Sequence, residues 1–197
     1  MIHPDTELRW IDDKIGYGVF VTRPIPRGTI VWIRCALDIA LSPMQVQELG
    51  EAYRPILDHF AYFDPSGTAI LCWDIARYVN HSCRPAMMPV GEEVEIAVRD
   101  LLPGEHLTCD YAYCNIPLEC SCGEPNCRSR VQAADLFVDG SHAASLTRVA
   151  IDRAGAVAQP LLPFARDRQQ IEPLLSGAAA LPAYSIFHCP SRDPVGS

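Results

Sequence analysis

Arg77-Tyr78-Val79-Asn80-His81-Ser82-Cys83-Arg84-Pro85 packs polar and ring-bearing side chains more densely than a strand normally tolerates. A buried polar group without a partner costs about 1–3 kcal/mol, so Asn80, His81, Ser82 and Cys83 must each find one. Pro85 stiffens the exit from the stretch. Two later stretches offer partners. One is Gly104-Glu105-His106-Leu107-Thr108-Cys109-Asp110-Tyr111, the other Cys120-Ser121-Cys122-Gly123-Glu124-Pro125-Asn126-Cys127.

Cys120, Cys122 and Cys127 stand at metal-ligand spacing, with Gly123 and Pro125 turning the chain between them. Zinc prefers four ligands, so three thiolates need one more. Cys83 is the natural candidate, and Cys109 or Cys114 could substitute. The chain has nine cysteines, an odd number. In a reducing compartment clustered thiols are more often metal ligands than disulfides.

At 197 residues the chain is long enough for one well-cored domain and an appendage. Hydrophobic residues make up 49% and charged residues 20%, the balance of a globular rather than a disordered protein. No apolar run approaches the ~20 residues that span a bilayer, and Met1-Ile2-His3-Pro4-Asp5 lacks the basic and apolar regions of a signal peptide. The expectation is an intracellular protein without membrane attachment, cytoplasmic in a bacterium and nuclear in a eukaryote. A net charge of −8 without a basic run excludes tight direct nucleic-acid binding and suits basic, lysine-bearing partners.

Along the chain, Gly16 and Gly18 bracket Tyr17 at the start of an apolar strand, the pattern of a hairpin turn. A strand is expected over Thr29 to Cys35. Ser42-Pro43 starts a short helix over Met44 to Leu49, and a second helical stub falls near Tyr53 to His59. Phe60 to Phe63 and Thr68 to Trp73 flank the turn Asp64-Pro65-Ser66-Gly67, and Glu93 to Val98 alternates as a strand. Many short strands between Pro/Gly turns predict a β-rich domain of small sheets. Leu146, Val149, Ala150 and Ala154 share a face of a helix over 142 to 154 behind a Ser141 cap. Residues 156 to 197 hold six prolines and no long periodic segment.

Taken together, Gly16-Tyr17-Gly18, Arg77 to Pro85, Gly104 to Tyr111 and Cys120 to Cys127 resemble, in order, the motifs of a SET-domain protein-lysine methyltransferase with a post-SET zinc motif. The resemblance runs from about Lys14 to Cys127. The short segment Leu37 to Phe60 is similar to that of compact, stand-alone members of the bacterial type. It implies a mainly β SET fold, the β-clip of small sheets with a threaded crossing. The implied divisions are a SET domain over 8–114, a zinc motif over 115–130 and a partly helical C-terminal extension over 131–197.

The resemblance also assigns roles. S-adenosylmethionine would be the methyl donor, held by backbone at Gly16, Tyr17 and Gly18 and by Asn80 and His81 through side chain or backbone. Tyr62 would line the cofactor or lysine channel. Tyr111 would orient the amine, and Cys83, Cys120, Cys122 and Cys127 would hold one structural zinc. The partner would be a protein or peptide presenting lysine. A SET fold that binds or scaffolds without turnover is the competing expectation.

Departures from the family pattern carry expectations of their own. Ala86 stands where an Asn usually supports the crossing. Cys109 stands where the family has Phe or Tyr, and its small side chain predicts room for di- or trimethylation.

Overall fold

The computed structural model describes residues 1–64, 66–114, 116–132 and 135–179, with the side chains of 136–143 outside the description. Among these residues the strands form sheets of only two or three members. β1 (Thr6–Asp12) and β2 (Gly16–Val21) make an antiparallel hairpin. Its turn is built by Asp12, whose carboxylate accepts from the amides of Lys14 at 2.9 Å and Ile15 at 2.8 Å. Gly16 follows with φ 80°, a left-handed conformation suited to glycine.

The central sheet joins β3 (Ile30–Ile33), β9 (Val94–Ala97) and β8 (Met87–Pro89) in the order β3-β9-β8. It is covered on both faces. Ile30, Ile33, Val94 and Ile96 join one apolar cluster, while Val31, Trp32, Met87 and Ala97 join another with Val19, Val21, Leu107 and Cys109. Each fully buried aliphatic side chain contributes about 1.5–3 kcal/mol, so this sheet anchors the fold.

A second three-stranded sheet holds β4 (Ile39–Leu41), β5 (Ala61–Phe63) and β6 (Ala69–Leu71) in the order β4-β6-β5. It realises the hairpin expected around Asp64. Two helices precede that hairpin, α1 (Pro43–Leu49) and α2 (Arg54–Phe60). Ser42 caps α1 as the sequence predicts, in a capping box with Gln45.

The remaining pairs are β7 (Asn80–His81) with β10 (Thr108–Cys109), and β11 (Leu118–Glu119) with β12 (Arg130–Val131).

The C-terminal part departs from expectation. Helix α3 runs Asp135–Ala154, so Ser141 lies inside it rather than capping it. Thr147, Ala150, Ile151 and Ala154 are buried at i, i+3, i+4, i+7 spacing, and Val149 is 43% exposed. The inward face is thus turned by about one position from the one the sequence suggests. A further helix, α4 (Arg168–Leu175), was hidden among the prolines. Asp167 caps it by accepting from the Gln170 amide at 3.1 Å, and Ile171 and Leu175 face the core.

Gln159 fastens this part to the central sheet. Its Oε1 accepts from the Ile30 amide at 2.8 Å, and its Nε2 donates to Gly28 O at 2.8 Å and Ala154 O at 3.0 Å. Gly28 has φ +94°, and a Cβ there would fall 2.8 Å from Ala150 O. Only glycine allows α3 to approach so closely. Residues 180–197 lie outside the described residues, so the expectation for that tail has no structural counterpart. Among the described residues no helix is long and apolar enough to cross a membrane.

Candidate active site

The short parallel pair β7–β10 does the assembling. Asn80 sits opposite Thr108 and His81 opposite Cys109. The alignment continues as Ser82 N–H donates to Cys109 O at 3.0 Å and Ala86 N–H to Thr108 O at 2.9 Å. Ala86 is fully buried there. This pairing sets the polar run of residues 77–85 against the stretch ending at Tyr111.

Asn80 reaches back to the hairpin, its Nδ2 donating to Tyr17 O at 2.9 Å. Nearby stands His106, 3.3 Å from Asn80 Nδ2 through its Nε2 and stacked on Phe20 at 4.7 Å. A Cβ on Gly18 would meet His106 Nε2 at 2.6 Å, whereas one on Gly16 would meet open space. The glycines therefore serve two purposes: Gly18 lets the hairpin close on Asn80 and His106, and Gly16 leaves backbone accessible. Burial lowers the His106 pKa, so its ring is neutral at pH 7. The residue types did not single out His106; its place in the second motif was the available signal.

Tyr111 is held at both ends. Its hydroxyl donates to Val79 O at 2.8 Å, and its amide donates to His81 Nδ1 at 3.2 Å. Burial pushes the phenol well above its usual range, so it stays protonated. An accepting Nδ1 places the proton of a neutral His81 on Nε2, which lies 3.3 Å from Cys83 Sγ. Burial lowers the His81 pKa against the pull of Asp110, in keeping with the neutral ring. Both ring nitrogens are thus engaged within the protein. Ligand contact at His81 is left to its backbone, whereas the sequence reading allowed ring or backbone.

Cys83, Cys120, Cys122 and Cys127 converge with all four Sγ atoms within 4.8 Å of one another. Cys83 Sγ is 3.8 Å from Cys120 Sγ, which is 3.6 Å from Cys127 Sγ. Four sulfurs at a Zn–S distance of ~2.3 Å stand about 3.8 Å apart in a tetrahedron, whereas a disulfide needs ~2.05 Å. The donor set and spacing fit a metal ion. Of the open choices for the fourth thiol, Cys83 joins the cluster and Cys109 and Cys114 do not.

Backbone amides already point at these sulfurs. Arg128 N–H lies 3.4 Å from Cys83 Sγ and Ser129 N–H 3.4 Å from Cys127 Sγ, and the Ser129 contact helps bring the Cys127 thiol down to about 7. Burial pushes Cys120 up to about 12. Arg128, which the sequence reading passed over, ties the cluster to the stretch that ends at Tyr111. Its Nη2 donates to Asp110 Oδ1 at 2.6 Å, Nη1 to Asp135 Oδ2 at 3.4 Å, and Nε to Cys83 Sγ at 3.4 Å. A further link comes from Lys14, whose Nζ donates to Ser121 Oγ at 2.8 Å.

Beside Tyr111 opens a cavity of about 140 Å³ whose wall includes Tyr62, Glu95, Cys109, Tyr113 and Ile116. Tyr62 packs edge-on against Trp32 at 5.9 Å, and its hydroxyl is buried without a hydrogen-bond partner among the described residues. Tyr17 stands apart from this cavity, 45% exposed between Trp10 and Tyr78.

Residues 16–112 match the SET domain family model. This region is a SET domain. Of the converged cysteines, Cys120, Cys122 and Cys127 follow it, where a post-SET zinc motif belongs, and Cys83 joins them from within it. Over 126 residues the chain is 29% identical to a Drosophila melanogaster protein named histone-lysine N-methyltransferase trr, covering 57% of this chain and 5% of that protein. Two proteins named histone-lysine N-methyltransferase, H3 lysine-36 specific, are also similar. The one from Mycosarcoma maydis is 26% identical over 132 residues, covering 58% of this chain and 13% of that protein. The one from Schizosaccharomyces pombe is 27% identical over 135 residues, covering 60% and 16%. The chain therefore spans a small fraction of the curated relatives it matches. All three relatives are eukaryotic, and none supports the bacterial type suggested by the short 37–60 segment.

Proposed function

We propose that this chain is a protein-lysine N-methyltransferase that uses S-adenosylmethionine, with Tyr111 aligning the substrate amine. The observation that carries the reading is the β7–β10 pairing, which unites Asn80 and the His81 backbone with Tyr111 at the edge of a narrow cavity. When bound, S-adenosylmethionine supplies an electrophilic methyl group. Accessible backbone at Gly16 and Tyr17, with Asn80 and His106 behind Gly18, fits its placement.

Methyl transfer needs a neutral amine, and free lysine has a pKa near ~10.4. A largely apolar cavity lowers that value by desolvation. The Tyr111 hydroxyl gives its proton to Val79 O, so its oxygen lone pairs remain to accept an N–H from the amine. Such alignment is worth several kcal/mol of barrier, and ~1 Å of misplacement costs about 100-fold. Cys109, small and buried in the wall, leaves room for more than one methyl group. The four clustered cysteines would hold a structural zinc.

The substrate is a protein presenting lysine in a basic segment, matched to a body of net charge −8, and we place the activity inside the cell. The relatives' names make histone tails the first substrates to try.

The test incubates the protein and Tyr111→Phe with labelled S-adenosylmethionine and a histone mixture or lysate. A drop of about 100-fold in kcat/KM with cofactor binding retained supports the reading. Equal transfer by both proteins removes Tyr111 from its role. Cofactor binding without transfer by the unaltered protein favours a SET fold that binds or scaffolds.

A further inference from the structure

Strand β9 carries an acid where its neighbours carry hydrocarbon. Val94 and Ile96 turn to the face covered by α3 and α4, and strand alternation sends Glu95 the other way, with Ala97. That second face is covered too. Glu95 therefore lines the cavity with Tyr62, Cys109 and Tyr111, half-buried. Its Oε2 is closed to solvent and has no hydrogen-bond partner among the described residues. No described cation offsets it, and burial alone pushes the carboxyl up to about 7. In the same wall the Tyr62 hydroxyl also lacks a partner among the described residues.

A fold does not usually keep a buried carboxylate oxygen unpaired, because an apolar residue of similar size would be neutral or stabilising there. The deficit makes sense if a ligand completes the pair. The ligand must be cationic and able to donate, to match Glu95. It must also have an apolar stem, to match the walls formed by Trp32, Met87 and Cys109.

We propose that Glu95 is a substrate-binding residue whose carboxylate receives the ammonium of the incoming lysine inside the cavity and ranks its methylation states. The ranking follows from donors. An unmethylated ammonium offers three N–H groups, a monomethyl form two, a dimethyl form one and a trimethyl form none. Cys109 supplies room for added methyl groups while Glu95 holds the less methylated forms more tightly, so successive transfers slow. The proposal rests on the lysine-methyltransferase reading for its substrate, but not for the presence of an ammonium site.

Two measurements test it, on the full chain with Glu95→Leu and Glu95→Gln. The first is binding of n-butylammonium, followed by thermal shift and by NMR. The unaltered protein should bind it, Glu95→Leu should lose about tenfold or more in affinity, and Glu95→Gln, which keeps a carbonyl acceptor, should fall between. The second compares peptides carrying unmethylated and dimethylated lysine. Glu95→Leu should raise KM for the unmethylated peptide about tenfold with kcat within about threefold, and should shift preference toward the dimethylated one.

Equal butylammonium binding by the unaltered protein and Glu95→Leu overturns the proposal, as does an unchanged KM and methylation-state preference in an active enzyme. A Glu95→Leu protein that fails to fold also overturns it, because the acid would then have a structural partner. An unaltered protein that binds butylammonium through Glu95 yet transfers no methyl group overturns the activity reading and supports the ammonium site.

Discussion

The two sides of Tyr111 handle polar atoms in opposite ways. Toward the cysteines the polar groups are tied together: His81 between the Tyr111 amide and Cys83, Asp110 to Arg128, Arg128 to Asp135 and Cys83. Toward the cavity, Tyr62 Oη and Glu95 Oε2 are sealed and, among the described residues, left without a partner. A connected network behaves as scaffold, since each member is already satisfied. An unsatisfied pair keeps its capacity for something that arrives. The difference separates what holds the site from what the site holds.

The contrast breaks first on the cysteine side. Stripping the metal with a chelator, or replacing Cys83 by Ala, should cost the most, lowering Tm by about 10 °C or more and weakening cofactor binding. Calorimetry with and without added zinc, together with metal analysis, checks this. A folded preparation with metal content near zero and an unaltered Tm would refute it.

Arg128→Ala should come next. It leaves Asp110 and Asp135 mostly buried without their cation, a loss of about 3 kcal/mol. Arg128→Lys should rescue it poorly, because a single ammonium cannot serve two carboxylates and a sulfur in one plane. Denaturant unfolding of the three proteins would show a Lys variant close to Ala, or else disprove the bridging role.

On the cavity side the sign reverses. A carboxyl raised from ~4.3 unfolded to about 7 folded binds more protons in the folded state between those values. Stability should therefore fall as pH rises through that window. Glu95→Leu should remove the fall, so its Tm advantage over the unaltered protein should grow from pH 5 to pH 7.5. A constant difference across that range would mean that Glu95 does not titrate in this way. The smallest effect belongs to Tyr62→Phe, which deletes an unpaired hydroxyl and should shift Tm by no more than about 2 °C in either direction. A larger loss would reveal a partner for that oxygen.

Much of the scaffold was legible because it is written in local chemistry. Ser42-Pro43 announced a helix start, Asp64 to Gly67 a hairpin, and the cysteine spacing a ligand set. Cys83 as fourth ligand could be favoured, but only the fold separates it from Cys109 and Cys114. What stayed illegible depends on partners distant in sequence. Alternation around Glu95 reads like a strand with one wet face, and the acid is half-buried with one oxygen closed to solvent because both faces of the sheet are covered. The inward face of α3 was misjudged by about one position because Ala and Val are weak markers of direction, while Thr147 turned inward despite its hydroxyl. His81 showed that it needed partners, without showing that they would occupy both ring nitrogens.

Lys14 is the only lysine in the chain, and its hydrogen bond to Ser121 makes it a strap between the glycine hairpin and the cysteine loop. Under the proposed lysine-methyltransferase activity, the chain carries a single lysine address of its own. Each methyl group added there would remove a donor that could reach Ser121. Self-modification would therefore leave its record at one side chain, as a peptide that an intact-mass measurement and one digest could read.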